Sequence, residues 1–130
     1  MTKCFLSFAA FSALIAVAMG AFGAHGLKSH LSAEHLDVWE TGVRYQMYHA
    51  LALFVVAWLQ IRTAHPLCSA AGVAFVGGTI LFSGSLYLLA TRDMLGISQW
   101  GWLGPVTPLG GLTFLVGWLL LGVAVLRSDF

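Results

Sequence analysis

The chain has 130 residues, of which 59% are hydrophobic and 8% are charged, whereas about 25% of the residues in an ordinary soluble domain are charged. Six Lys and Arg against five Asp and Glu leave a net charge of +1, which excludes a basic nucleic-acid-binding surface. With a mean hydropathy of +0.89, a compact body in water would expose large apolar patches. We therefore expect one domain, residues 1–130, whose partner is the lipid bilayer and not nucleic acid.

Four long intervals of the chain contain no Lys, Arg, Asp or Glu. A transmembrane helix needs about 20 predominantly apolar residues, and each interval can hold one. The first follows Lys3 and resembles a signal peptide, but we expect it to be kept as a span. The spans are predicted at about residues 5–23, 45–61, 66–90 and 108–126.

The second interval is the shortest, and the segment before it has helical periodicity. Acidic residues recur there at a spacing of three, opposite apolar ones. The pattern predicts one helix from about Ala33 to Ile61, amphipathic at first and then buried, with Ser32 as its N-terminal cap. The acidic residues are Glu34, Asp37 and Glu40.

Prolines mark the starts of the last two predicted helices. Pro66 and Pro108 each stand where a first helical position is expected, and Thr107 precedes the second as a capping residue. The Gly- and Pro-rich stretch 101–111 predicts a turn.

These elements predict an all-α fold, a four-helix transmembrane bundle with both termini on the same side, because only helices and closed barrels satisfy their backbone groups in hydrocarbon. The positive-inside rule returns a tie of three Lys or Arg on each side. Four of the five acidic residues fall on the loop side, which favours cytoplasmic termini. Cys4 and Cys68 would then face a reducing compartment as free thiols.

Glycine and alanine recur at four-residue spacing in the predicted helices, as in Ala9 with Ala13, Ala16 with Gly20, and Ala74 with Gly78. This pattern lets two helix backbones approach closely in a membrane. It predicts tight packing within one chain or between chains.

One end of the predicted bundle gathers the polar side chains. Tyr45, Gln46 and His49 recur at three and four residues and share a stripe of the second helix, and His25 ends the first helix on the same side. His49 lies about 7 Å deeper than Arg44 along the axis, where an imidazole needs a partner. Tyr45 or His25 could supply it. His25, Tyr45, Gln46 and His49 are thus the candidate ligand-binding residues.

Three functions compete for this cluster. A metal site would use imidazoles and carboxylates, but His25, His30 and His35 are five residues apart and do not converge on a helix. A quinone or small-ligand pocket would use His49, Tyr45 and Gln46 to bond a polar head group. The third interpretation is a buried polar network that fixes the register of the first two helices, and we favour it. No catalytic residue, metal ligand or cofactor is predicted.

Four motifs resemble a known family. They are Gly20-Ala21-Phe22-Gly23-Ala24-His25-Gly26-Leu27, the run from Tyr45 to Leu53 with sequence YQMYHALAL, Phe82-Ser83-Gly84-Ser85-Leu86-Tyr87, and Thr107-Pro108-Leu109-Gly110-Gly111. Together they resemble the YgdD-like family of small bacterial inner-membrane proteins, whose function is unknown. The resemblance implies a multi-pass protein of the bacterial cytoplasmic (inner) membrane with four spans, and it includes His25, Tyr45, Gln46 and His49 in the family's motifs.

The sequence therefore predicts a small integral membrane protein that is not an enzyme and acts by packing. Its expected partner is a second copy of itself or a larger membrane complex, in which it would be an accessory subunit. The alternative is a protein that binds a quinone, a small ligand or a metal at the polar cluster around His49.

Overall fold

The computed structural model describes residues 1–128, and within that range the chain is helical with no strand. Helix α1 spans Thr2–His25 and α2 spans Ala33–Thr63. A third rod consists of α3 (Pro66–Gly78), a π-helical segment (Thr79–Ser83) and α4 (Gly84–Thr91). Helix α5 spans Leu103–Leu126. The expectation of an all-helical protein with four helical rods is confirmed.

Three of the rods are long and apolar enough to cross a membrane: Thr2–His25, Pro66–Thr91 and Leu103–Leu126. The sequence analysis counts four such spans. Helix α2 is the exception because Glu34, Asp37, Glu40 and Arg44 occupy its first third and Gln46 and His49 follow. Helix α2 can cross the bilayer only where its polar groups have hydrogen-bond partners within the chain.

The N-terminal cap predicted for α2 and the first-position proline predicted for α3 are confirmed. The Ser32 hydroxyl accepts a hydrogen bond of 3.2 Å from the His35 N–H, as an N-cap does. Pro66 stands at the beginning of α3, where the preceding His65 ring accepts from the Leu67 N–H at 3.1 Å. One long helix runs from Ala33 to Thr63.

The predicted start of the last helix is wrong. Helix α5 begins at Leu103, five residues before Pro108, so 103–111 is helix and not a turn. The first four N–H groups of any helix have no partner within it, so Pro105 costs no bond there and Pro108 removes only one. Thr107 is no cap, since its hydroxyl lies 2.6 Å from the Ser85 hydroxyl on α4.

The π-helical segment in the third rod is not predicted by the sequence analysis. A π turn inserts one extra residue into a helix. Hydroxyls add hydrogen bonds to the backbone here, because Thr79 donates to the Phe75 carbonyl at 2.8 Å and Ser85 donates to the Phe82 carbonyl at 3.0 Å. The wide turn re-aims the residues that follow it, including Tyr87.

Rods that follow one another along the chain run in opposite directions. Trp39 of α2 donates to the Met19 carbonyl of α1, and Gln46, seven residues further along α2, donates to the Ser12 carbonyl. The same reversal relates α3 and α5, where Phe75 lies against Gly117 and Phe114 lies against Gly78.

At several helix contacts of this bundle, an aromatic ring packs directly against a glycine of the neighbouring helix. A Cβ added to Gly23 would lie 2.6 Å from the Trp39 ring, and one added to Gly72 would lie 2.6 Å from the Phe5 ring. The α3–α5 contact is reciprocal, since each helix gives one phenylalanine to a glycine of the other. Close backbone approach through small residues is how membrane helices associate, and the predicted tight packing is found within the chain.

We predict that Gly117→Ala destabilises the bundle by about 1–3 kcal/mol, the usual cost of overpacking. The new methyl group would lie 2.6 Å from the Phe75 ring. The measurement is unfolding by titration with SDS, followed by circular dichroism. Gly122→Ala is the matched control, because its Cβ meets nothing within 4 Å. Equal midpoints for the two variants would contradict the prediction.

Candidate functional site

The site is built on the middle of α2, where three other helices surround it. Gly42 begins the stretch and lets the third rod come close, since a Cβ there would lie 3.0 Å from the Tyr87 ring. Gln46 follows one turn later and His49 two turns later, and both are buried, with 6% and 3% of their surface exposed.

Both ring nitrogens of His49 are bonded within the chain. The Trp118 indole N–H of α5 donates to His49 Nε2 at 3.1 Å, so this nitrogen is an acceptor and carries no proton. The proton then sits on Nδ1, which lies 2.7 Å from the Tyr45 carbonyl oxygen and donates to it. The two partners together fix one neutral tautomer of the imidazole.

Phe114 of α5 covers the face of the His49 ring. The two ring centroids are 3.4 Å apart and the planes differ by 5°. The Phe75 ring packs against the same imidazole at 5.3 Å. His49 is therefore held between α3 and α5, and its partners are Tyr45 and Trp118, not His25.

Gln46 joins three helices through its amide. Its Nε2 donates to the Ser12 carbonyl of α1 at 3.0 Å, and its Oε1 accepts from the Tyr87 hydroxyl of α4 at 2.7 Å. Tyr87 in turn packs against Trp39, with ring centroids 4.7 Å apart. The polar network expected between the first two helices is present and extends to the third rod.

The four candidate residues do not form one pocket. His25 is exposed at the end of α1, and Tyr45 is 40% exposed with its ring 4.7 Å from Phe82. Gln46 and His49 are three residues apart, which leaves about 60° between their directions on a helix. That angle turns Gln46 to α1 and α4, and His49 to α5.

The other polar residues at this end lie at the surface. Arg44 pairs with Glu40 at 3.2 Å and Arg92 with Asp93 at 3.9 Å, and all four side chains are largely exposed. Exposed pairs of this kind contribute about 0–1 kcal/mol. Among residues 1–128, no three His, Cys, Asp or Glu side chains are grouped so that they could hold a metal ion.

An aromatic groove lies beside His49, between α2 and α5, with a volume of about 510 Å³. Its walls include Tyr45, Tyr48, Phe82, Phe114 and Trp118. The imidazole lines this groove but offers it no free nitrogen, because both are bonded to the chain.

Four residues of the site are not among the candidate residues predicted from the sequence: Ser12, Tyr87, Phe114 and Trp118. One of them carries a signal that could have been used. Trp118 stands well inside an apolar helix instead of at the interface where tryptophans gather, and a buried indole N–H needs an acceptor. The Ser12 contribution is a backbone carbonyl, for which no side-chain pattern exists.

Helices with apolar outer faces, and an interior in which the Gln46 amide and the His49 ring are paired, define a small helical membrane protein. Residues 19–111 match the family described as "Protein of unknown function (DUF423)". The chain is 44% identical over 126 residues to the UPF0382 membrane protein YwdK of Bacillus subtilis, covering 96% of this chain and 98% of that protein. It is 42% identical to the UPF0382 membrane protein SERP0230 of Staphylococcus epidermidis, covering 96% and 97%.

The chain therefore belongs to the DUF423 family of membrane proteins, whose function is unknown. A membrane protein family without assigned function is what the sequence analysis expects, although neither of these relatives carries the YgdD name. No solved structure matches the chain.

We predict that the Gln46 side chain and the Tyr87 hydroxyl are energetically coupled. A double-mutant cycle with Gln46→Leu and Tyr87→Phe should give about 0.6 kcal/mol and at most about 1.7 kcal/mol, the range for hydrogen bonds between membrane helices. The measurement is the free energy of unfolding in SDS. The control cycle pairs Gln46→Leu with Thr113→Val, whose hydroxyl bonds only within its own helix. Coupling no larger than in the control would contradict the assignment.

Proposed function

We propose that the chain crosses the bilayer four times, with α2 as the fourth span. The pairing of the polar groups of α2 supports this. An unsatisfied polar group in hydrocarbon costs several kcal/mol, but the Gln46 amide and the His49 ring are bonded to α1, α4 and α5. Paired in this way, residues 45–61 can lie in the hydrocarbon while the charged first third of α2 extends beyond it on one side and Arg62 on the other.

Four spans would put both termini on one side. The contacts support this, since Trp39 links the end of α1 to Tyr87 near the end of α4, while Phe5 near the start of α1 packs on Gly72 near the start of α3. We place the protein in the bacterial cytoplasmic (inner) membrane with cytoplasmic termini. The orientation rests on the acidic residues of the loop side, because Lys and Arg are tied.

Cysteine labelling tests this topology in intact cells. With a membrane-impermeant maleimide, Ser29→Cys and Ser98→Cys, each in a Cys4→Ala background, should both be labelled from outside. The exposed Cys4 of the unmodified chain should react only after the membrane is opened, and the buried Cys68 serves as the unreactive control. Labelling of Ser29→Cys and Ser98→Cys from opposite sides would overturn the four-span arrangement.

The function that the geometry supports best is a non-enzymatic one. We propose a packing component of the membrane that assembles with copies of itself. The carrying observation is that the Gln46 amide and the His49 ring are turned inward and bonded to neighbouring helices. They brace the bundle instead of facing a substrate. Closed assemblies of identical chains are the commonest oligomers, which favours self-assembly over an accessory role in a larger complex.

The alternative of a quinone, small ligand or metal held by His49 has less support. A ligand there would have to displace either the Trp118 indole or the Tyr45 carbonyl from the imidazole. The aromatic groove beside His49 offers rings for stacking but no free ring nitrogen.

We predict a defined homo-oligomer when the protein is extracted in mild detergent and measured by native mass spectrometry. The same mass should be found after reconstitution in nanodiscs and extraction in a second detergent. A monomer without bound protein would overturn the packing role. A stoichiometric complex with a different protein would overturn self-assembly and indicate an accessory subunit.

A further inference from the structure

A second groove lies at the middle depth of the bundle, away from His49. It runs between α1 and the third rod and has a volume of about 240 Å³. We call it the α1–α4 groove. Its lining includes Phe8, Phe11 and Ser12 of α1, Ile80 of the π-helical segment, and Gly84 and Tyr87 of α4.

Ser12 is the unusual polar group of this groove. The residue is 4% exposed, and its hydroxyl has no hydrogen-bond partner anywhere in the described chain. Several other hydroxyls in the helices bond back to a carbonyl four residues earlier, as Thr41, Thr63 and Thr113 do. A buried hydroxyl without a partner costs about 1–3 kcal/mol. Ser83 is also unpaired, but it does not line the groove.

Gly84 leaves space in the same groove. A Cβ at Gly84 would meet nothing within 4 Å. The glycines packed between helices differ, since Gly23, Gly72 and Gly117 each have an aromatic ring 2.6 Å from the Cβ position. Gly84 therefore leaves space over its backbone in which a flat ring fits.

Further hydrogen-bonding capacity borders the groove. Gln46 lines it and uses one of its two Nε2 hydrogens for the Ser12 carbonyl. The Tyr87 hydroxyl bonds to the same amide. Donors at this position suit an acceptor oxygen, such as a carbonyl group, on a molecule that enters from the lipid.

We propose that the α1–α4 groove binds the ring of a membrane quinone. The flat ring lies over Gly84 between Phe8, Phe11 and Tyr87, and one quinone carbonyl accepts from the Ser12 hydroxyl. The isoprenoid chain extends into the bilayer. Ser12 is near the middle of the 24-residue helix α1, about 15 Å from its start and about 20 Å from its end. Phospholipid oxygens stay at the interface, whereas a quinone carries its oxygens into hydrocarbon. The proposal concerns binding only and does not rest on the packing role.

The test measures binding of a decyl-substituted benzoquinone to the protein in nanodiscs by saturable quenching of tryptophan fluorescence. Trp39 is a suitable reporter because its ring is 4.7 Å from Tyr87. The unmodified chain should bind one equivalent. Ser12→Ala should weaken binding about five-fold, as for the loss of one hydrogen bond. Gly84→Leu should abolish saturable quenching because its side chain fills the space of the ring.

Gly122→Leu is the matched control, since that helical glycine also has nothing within 4 Å and lies on α5. It should bind as the unmodified chain does. Helical circular dichroism and the unfolding midpoint show which variants fold, and Gly84→Ala replaces Gly84→Leu if the larger residue does not.

Three results would overturn the proposal. Saturable binding that is unchanged in Gly84→Leu would place the quinone elsewhere. Binding lost in Gly84→Leu but unchanged in Ser12→Ala, and competed by phospholipid, would identify an acyl chain. A change of oligomeric state in Gly84→Leu without quinone would show that a second copy of the chain covers the groove.

Discussion

The buried polar side chains of α2 need partners that α2 alone cannot supply. In hydrocarbon no water is present to bond an amide or an imidazole, so Gln46 and His49 must be paired by the chain. Gln46 bonds to α1 and α4, and His49 bonds to α5 and to the Tyr45 carbonyl of its own helix. Each bond requires its partner helix at one depth and one rotation. The network therefore fixes the register of the rods as well as satisfying the polar groups.

Close apolar packing between the helices adds to the hydrogen bonds in holding the bundle together. Lipid tails are as apolar as leucine, so membrane helices gain little from hydrophobic burial against each other and depend on close contact. Phe75 and Phe114 occupy the spaces left by Gly117 and Gly78. The same two rings also pack against the His49 imidazole. The hydrogen bond from Trp118 and the ring stack of Phe114 thus come from one helix, four residues apart. A change at the α3–α5 contact will move the imidazole as well.

The sequence predicts where the helices lie, but it does not predict which helix each polar side chain bonds to. The charge-free intervals locate α1, the third rod and α5, and Ser32 and Pro66 mark helix starts that the structure has. Pro108 misleads, because a proline tolerated in the first turns of a helix looks the same as one that begins it. The stripe of Tyr45, Gln46 and His49 is found from spacing alone. That Gln46 and His49 bond to different helices depends on tertiary placement, for which a single sequence carries no periodic signal.

The π-helical segment contributes lining residues to both grooves of the bundle. It places Phe82 beside Tyr45 on the His49 side and Ile80 on the α1–α4 side, one turn before Gly84. A regular α-helix would rotate Gly84 and Tyr87 by about 100°, away from the positions at which Tyr87 reaches the Gln46 amide. π turns occur preferentially at functional sites. In this chain the segment lies between a groove in which both ring nitrogens of His49 are bonded and one in which the Ser12 hydroxyl is free, and a ligand gains most where a buried donor still lacks its acceptor.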